Sequence, residues 1–177
     1  GNCESSSRLS VLVTRVSNSN ISAITSTGPA SPCPNTPITY SVTLVTGTTY
    51  TWSIPDGWSA SSSLSGLNIN SISVSSGVAG NNGNIKVIAQ NACRTDSAFL
   101  AVSVTPAPAV SINSNYCVGG NQVQLTALPG SFPTYSYQWT SNGTNYSTSQ
   151  VITVSIAAVY KVKVTSTATT CFASATT

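Results

Sequence analysis

The side chains of this 177-residue sequence that could move a proton or hold a metal are few. They are three carboxylates, Glu4, Asp56 and Asp96, and five cysteines, Cys3, Cys33, Cys93, Cys117 and Cys171; histidine is absent. General acid–base catalysis needs positioned groups that exchange protons near the working pH, and no serine here has a histidine to activate it. Glu4 and Asp96 fall on equivalent hairpins of a repeated pattern, so they should lie a domain length apart. A paired-carboxylate mechanism needs its two groups within roughly 10 Å. Calcium wants several oxygen ligands, and Asp56 offers one. The sequence therefore predicts no catalytic residue, no metal site and no cofactor, and the chain reads as a non-enzyme.

The cysteines point elsewhere. No C-x-x-C or other clustered set suggests zinc. Widely spaced single cysteines in a Ser/Thr-rich chain read as disulfides of an oxidising compartment. Five is an odd number, so at least one partner lies elsewhere or one thiol is free.

The elements that must position these residues are strands. Hydrophobic residues make up 40% of the chain and charged residues only 5%, so a core can form while Ser, Thr, Asn and Gly take the outer positions. β-branched Thr and Val suit a pleated sheet, Asn and Gly suit turns, and no segment carries apolar residues at helical spacing over three turns. The net charge of +3 is spread thinly, with no basic stripe to meet a phosphate backbone, so nucleic acid is not an expected partner. No apolar run approaches the ~20 residues of a membrane helix. Gly1-Asn2-Cys3 reads as the interior of a longer protein, so the missing leader does not argue against export.

Internal repetition organises the chain. Cys3 and Cys93 each precede a short polar stretch and an alternating strand ending in Val-Thr, and Cys171 opens a third such segment. Cys33 precedes Ile38-Thr39-Tyr40-Ser41-Val42, and Cys117 precedes Val123-Gln124-Leu125-Thr126-Ala127. Tyr50-Thr51-Trp52 is matched by Tyr137-Gln138-Trp139. Short strands and frequent turns predict an all-β fold of tandem immunoglobulin-like sandwiches in an extended array. Residues 1–16 read as the last strand of a preceding repeat. Residues 17–105 read as a complete sandwich, and 106–177 as a second one lacking most of its last strand. Pro106 and Pro108 stiffen the junction. Strands are expected at 21–25, 38–45, 50–54, 69–75, 84–90 and 98–105, then at 110–113, 123–128, 136–140, 151–155 and 159–165.

Pro37–Val42, the run Tyr50-Thr51-Trp52-Ser53-Ile54-Pro55-Asp56-Gly57-Trp58, the stretch from Ile85 to Cys93, and Leu100-Ala101-Val102-Ser103-Val104 together resemble a PKD-like repeat of Bacteroidota surface proteins. Tyr116-Cys117-Val118-Gly119-Gly120 and Tyr137-Gln138-Trp139 are similar to the Ig-like repeats of the same proteins. The resemblance implies a large exported protein of a Gram-negative bacterium, such as type IX secretion cargo, gliding-motility adhesins or multi-domain polysaccharide hydrolases. The implied role is a structural or adhesive stalk that displays a terminal module at the cell surface. A carbohydrate-binding accessory module is the alternative.

Within that fold, two disulfide patterns are open. One joins Cys33 to Cys93 and Cys117 to Cys171, within each sandwich. The other joins Cys33 to Cys171 across the junction, because immunoglobulin topology puts Cys33 and Cys93 at opposite ends. A six-residue strand spans ~20 Å, and a bridge needs Cα atoms within ~7 Å. The first pattern leaves Cys3 for a neighbouring repeat. Trp52 and Trp139 are expected in the cores. Trp58 either stacks on a sugar beside Tyr40 or Tyr50, or folds back over the core. Asp96-Ser97-Ala98 matches an O-glycosylation motif of Bacteroidota, with Ser97 as acceptor. The expected partners are neighbouring repeats, surface polysaccharide, and like molecules by strand addition. In that last case Leu9, Val11 and Val13 would take the place held in the first sandwich by Leu100, Val102 and Val104.

Overall fold

A computed structural model describes residues 20–130 and 134–177. Its elements are all strands: β1 (Thr25–Ser26), β2 (Pro37–Ser41), β3 (Thr49–Ser53), β4 (Ser59–Ala60), β5 (Ser65–Leu67), β6 (Ser71–Ser75), β7 (Gly83–Gln90), β8 (Thr95–Val102), β9 (Val110–Asn115), β10 (Val123–Pro129), β11 (Tyr135–Ser141), β12 (Thr144–Ser147), β13 (Val151–Val154), β14 (Tyr160–Ser166) and β15 (Phe172–Thr176). All pairings are antiparallel, in four sheets ordered β1-β2-β6-β4, β5-β3-β7-β8, β13-β10-β9 and β12-β11-β14-β15. The chain is all-β, as its composition predicts.

Period-two patterning decides which face is covered. Tyr50 and Trp52 of β3 point inward between exposed threonine and serine. In β7, Ile85, Val87 and Ala89 are fully buried, and in β14 so are Val162 and Val164 with Lys161 exposed between them and Tyr160. Burying a Val or Ile side chain is worth roughly 1.5–3 kcal/mol, so such a stripe fixes the register.

The buried side chains form two clusters. One gathers Ile38, Tyr40, Ile72 and Val74 from the β2/β6 sheet with Tyr50, Trp52, Ile85 and Val87 from the β3/β7 sheet. The other joins Leu125, Ala127, Ile152 and Val154 to Trp139, Tyr160, Val162 and Val164. Trp52 lies opposite Val87, and Trp139 lies opposite Val162. The pairing of β9, β10, β11, β13, β14 and β15 thus repeats that of β1, β2, β3, β6, β7 and β8.

Two expectations change. The last strand of the second cluster is formed: β15 pairs with β14 from Thr165↔Phe172 to Lys161↔Thr176, and the Thr177 N–H donates to the Tyr160 carbonyl at 2.9 Å. The edge of β14 expected to stand open for strand addition is therefore covered. Strands β4, β5 and β12 are additions; β12 follows Asn142-Gly143, both at positive φ (46° and 84°), the geometry of a tight hairpin turn. The expected strand at 1–16, with Cys3, Glu4, Leu9, Val11 and Val13, lies outside the described residues.

Candidate functional site

A disulfide links the two cores at their junction. Cys33 and Cys171, 138 positions apart in sequence, form it with their Cα atoms 5.3 Å apart. Cys33 sits in the loop entering β2. Its carbonyl accepts the Ser76 hydroxyl at 2.6 Å and the Thr36 hydroxyl at 2.8 Å, and Asn35 turns the chain at φ 56°. Cys171 sits between β14 and β15, where its carbonyl accepts the Ser166 N–H and Thr170 takes φ 62°. Cys171 is fully buried. Beside the bridge a groove is lined by Pro34, Pro37, Ala107 and the exposed ring of Phe172.

The pairings within each sandwich are thereby corrected, since Cys33 and Cys171 hold each other. The reason is the one strand length supplies. Cys33 enters β2 at the Pro37↔Ser75 end of its sheet, while Cys93 follows the Gln90 end of β7, which lies beside Thr49 at the start of β3. Cys93 and Cys117 are both exposed.

Trp58 is also corrected as a sugar platform. It is 7% exposed, its N–H donates to the Asn81 carbonyl at 2.7 Å, and its ring lies 6.4 Å from that of buried Tyr40. Gly57, at φ +78°, makes this fold-back feasible: a Cβ there would sit 2.6 Å from the Asn81 side chain. Tyr40 and Tyr50, the partners expected for stacking on a sugar, are fully buried. Burial raises the Tyr40 phenol above its ordinary pKa, and its hydroxyl finds no hydrogen-bond partner among the described residues.

Asp56 and Asp96 do not meet. Asp56 is exposed in the turn after β3. Asp96 lies in β8 opposite Ala89, towards the other end of the sheet. Its carboxylate accepts the Ile21 N–H at 3.2 Å and the Ser97 N–H at 2.9 Å, and these two bonds, aided by Arg94, hold it below the usual carboxylate range. Asp96 thus ties the segment ahead of β1 to an edge strand. Ser97 is exposed on that strand, two residues inside it. Among the described residues, no three His, Cys, Asp or Glu side chains gather as metal ligands.

One surface escaped the sequence reading. On the outer face of β11, β12, β14 and β15, Gln138, Thr140, Asn145, Lys161, Lys163 and Phe172 line a shallow groove, with the Lys163 ammonium 4.1 Å from the Phe172 ring centroid. Both lysines alternate with buried residues along β14, but only the sheet order brings Gln138 and Phe172 beside them.

Paired antiparallel sheets around a Trp-centred core define the immunoglobulin-like class. Within it, residues 19–104 are similar to the PKD-like domain family. No curated protein matches the chain. Among solved structures, it is similar to the three N-terminal domains of the highly immunogenic outer capsid protein of bacteriophage RB49. The two are 21% identical over 88% of this chain and 57% of that one, with a TM-score of 0.38. It is similar also to the titin I-band fragment I67–I69 (13% identity, 82% and 60% of the two chains, TM-score 0.35). An amphioxus IgVJ-C2 molecule gives 11% identity over 82% and 97%, with a TM-score of 0.34. The chain spans under two thirds of the first two, and nothing further follows from likenesses this low. Domains of the PKD/Ig-like kind are typically structural or adhesive and non-catalytic, and with a disulfide they fit an extracellular location. No helix among the described residues is long and apolar enough to cross a membrane.

Proposed function

We propose that the chain is a pair of tandem immunoglobulin-like units, at 17–105 and 106–177, serving as a stiff spacer. It belongs, on this proposal, to a large exported surface protein of a Gram-negative bacterium, of the Bacteroidota type its motifs resemble. The observation that carries this is the disulfide from Cys33 to Cys171, which ties the loop below one core to the turn above the next. A linker with Pro106 and Pro108 already restricts the hinge, and a second, covalent tether 5.3 Å long leaves the two units little freedom to swing. A spacer needs that property; a catalyst or a lone recognition module does not. Small-angle scattering in oxidising and reducing buffer tests it. The oxidised chain should give one narrow distance distribution that broadens on reduction. Identical profiles would remove the case for an enforced geometry.

A second reading, carbohydrate binding, moves from Trp58 to the groove of Lys161, Lys163 and Phe172, where two cations, amides and an exposed ring face solvent together. A glycan array containing uronate polymers separates the two, since a spacer alone retains none of them.

A further inference from the structure

We infer that Cys117 is a second cross-linking site between units, placed to bond the cysteine in the turn between the last two strands of another immunoglobulin-like unit. The inference rests on the tandem reading above. Lone exposed thiols are common and mean little; here an equivalent residue in the same molecule is already bonded.

Cys33 stands four residues ahead of β2, and Cys117 six residues ahead of β10. β2 is flanked by β1 and β6, and β10 by β9 and β13, all antiparallel, so both cysteines guard the entrance to the same strand of the fold. Cys93 and Cys171 likewise occupy matching turns, between β7 and β8 and between β14 and β15. The observed bond joins one loop-type cysteine to one turn-type cysteine of the following unit. Such a head-to-tail relation is not self-closing: it leaves the loop of the later unit able to accept another turn.

The surroundings agree. Where the junction is made, Pro32 is buried and the Cys33 carbonyl receives two hydroxyls. Around Cys117, Tyr116 and Val118 are 76% and 36% exposed, and the thiol itself faces solvent. In this loop the Cys117 N–H donates to the Asn115 side-chain oxygen at 3.0 Å and the Gln122 N–H to the Gly119 carbonyl at 3.2 Å. This accessible loop, with Tyr116 and Val118 exposed, holds the position that Cys33 holds at the observed junction, and a cysteine-bearing turn of the same fold is its occupant.

The bond needs an oxidant, for which a low-molecular-weight disulfide such as glutathione disulfide suffices. The Cys117 thiolate attacks it and expels one glutathione thiolate. The second cysteine's thiolate then attacks the Cys117 sulfur of the mixed disulfide and expels the other. The protein loses two protons and two electrons, and both leave on the two glutathione thiols.

The test extends the full chain. After Thr177, residues 101–105 are repeated as the passage into the junction, followed by a second copy of 106–177. The product is oxidised with glutathione disulfide, alkylated and mapped without reduction. The expected result is a peptide joining Cys117 to the added copy's counterpart of Cys171, alongside the original Cys33–Cys171 peptide. Alkylated Cys117 beside an intact Cys33–Cys171 bridge overturns the inference, as does Cys117 bonded to any other cysteine. Should the added copy misfold, the unextended chain still decides. Cys117, identified by comparison with Cys117→Ser, should react with a chromogenic aryl disulfide within about tenfold of an unstructured cysteine peptide; about a hundredfold slower overturns the inference. Scattering and mapping fail independently, so a flexible pair that still forms this bond refutes the spacer and spares the cross-link.

Discussion

Trp52 and Trp139 make the same hydrogen bond. Each indole N–H donates to a backbone carbonyl two residues ahead of a strand, Ile69 before β6 at 2.9 Å and Ser149 before β13 at 2.8 Å. The residue after each acceptor is a carboxamide, and it repeats the agreement. Val42 N–H donates to the Asn70 carbonyl at 2.9 Å while the Asn70 amide donates back to the Val42 carbonyl at 2.7 Å. Ala127 and Gln150 exchange the corresponding pair at 3.0 and 3.1 Å. A buried indole N–H left unpaired would cost ~1–3 kcal/mol, so this device lets a large ring fill each core without a polar penalty.

Changing Trp52 or Trp139 to Ala should therefore cost about 3–5 kcal/mol through the cavity left behind. Because the clusters are separate, each substitution should lower one unfolding transition and spare the other. Urea denaturation followed by calorimetry and circular dichroism checks this, and a single shared transition that falls equally in both variants contradicts it.

Asn70→Ala and Gln150→Ala should each cost about 1 kcal/mol, the net worth of an intramolecular hydrogen bond. Amide exchange should speed up at Val42 in the first and at Ala127 in the second. Unchanged exchange in both would show that the carboxamides add nothing.

Tyr40→Phe should be neutral or stabilising by up to about 1 kcal/mol, since it removes a buried hydroxyl that has no partner among the described residues. A loss of stability on this substitution would reveal a partner for that oxygen.

Asp96 predicts an acid response. Its folded-state pKa is lowered by the Ile21 and Ser97 amides, so its contribution is present above the unfolded value, about 3.9, and is lost as pH falls through the lower folded value. Wild type should exceed Asp96→Asn in stability at neutral pH, and the gap should close below about pH 4. A gap constant down to strongly acidic pH would remove the charge from the explanation.

What the sequence made legible follows from how local each cause is. β3, β7, β10 and β14 announce themselves because alternate positions are buried, and alternation is visible in six residues. β4 and β5 are Ser- and Gly-rich pairs and triplets without alternation, held by their neighbours. β12 has a local signal in Asn142-Gly143, but the strand after it, Thr144–Ser147, carries no alternation of buried positions. The bond between Cys33 and Cys171 was open to argument from strand length alone. Trp58 was not: whether it faces a sugar or the core is decided by Asn81, on a loop 23 residues away. The carboxamides Asn70 and Gln150 stand 18 and 11 residues beyond their tryptophans, so no fixed spacing exposes them.

The bridge also changes how the molecule would bear a pull. Tension entering before Cys33 and leaving after Cys171 passes through the sulfur atoms and bypasses both cores. Only the short flanks, with β1 on one side and β15 on the other, can be peeled. The 138 positions from one cysteine to the other would extend to roughly 450–500 Å if freed, yet the two ends are held 5.3 Å apart. A stretched chain of this kind would stay short while oxidised and lengthen in a single large step once a reductant opened the bond. Its length under load is thus a record of the redox state around it.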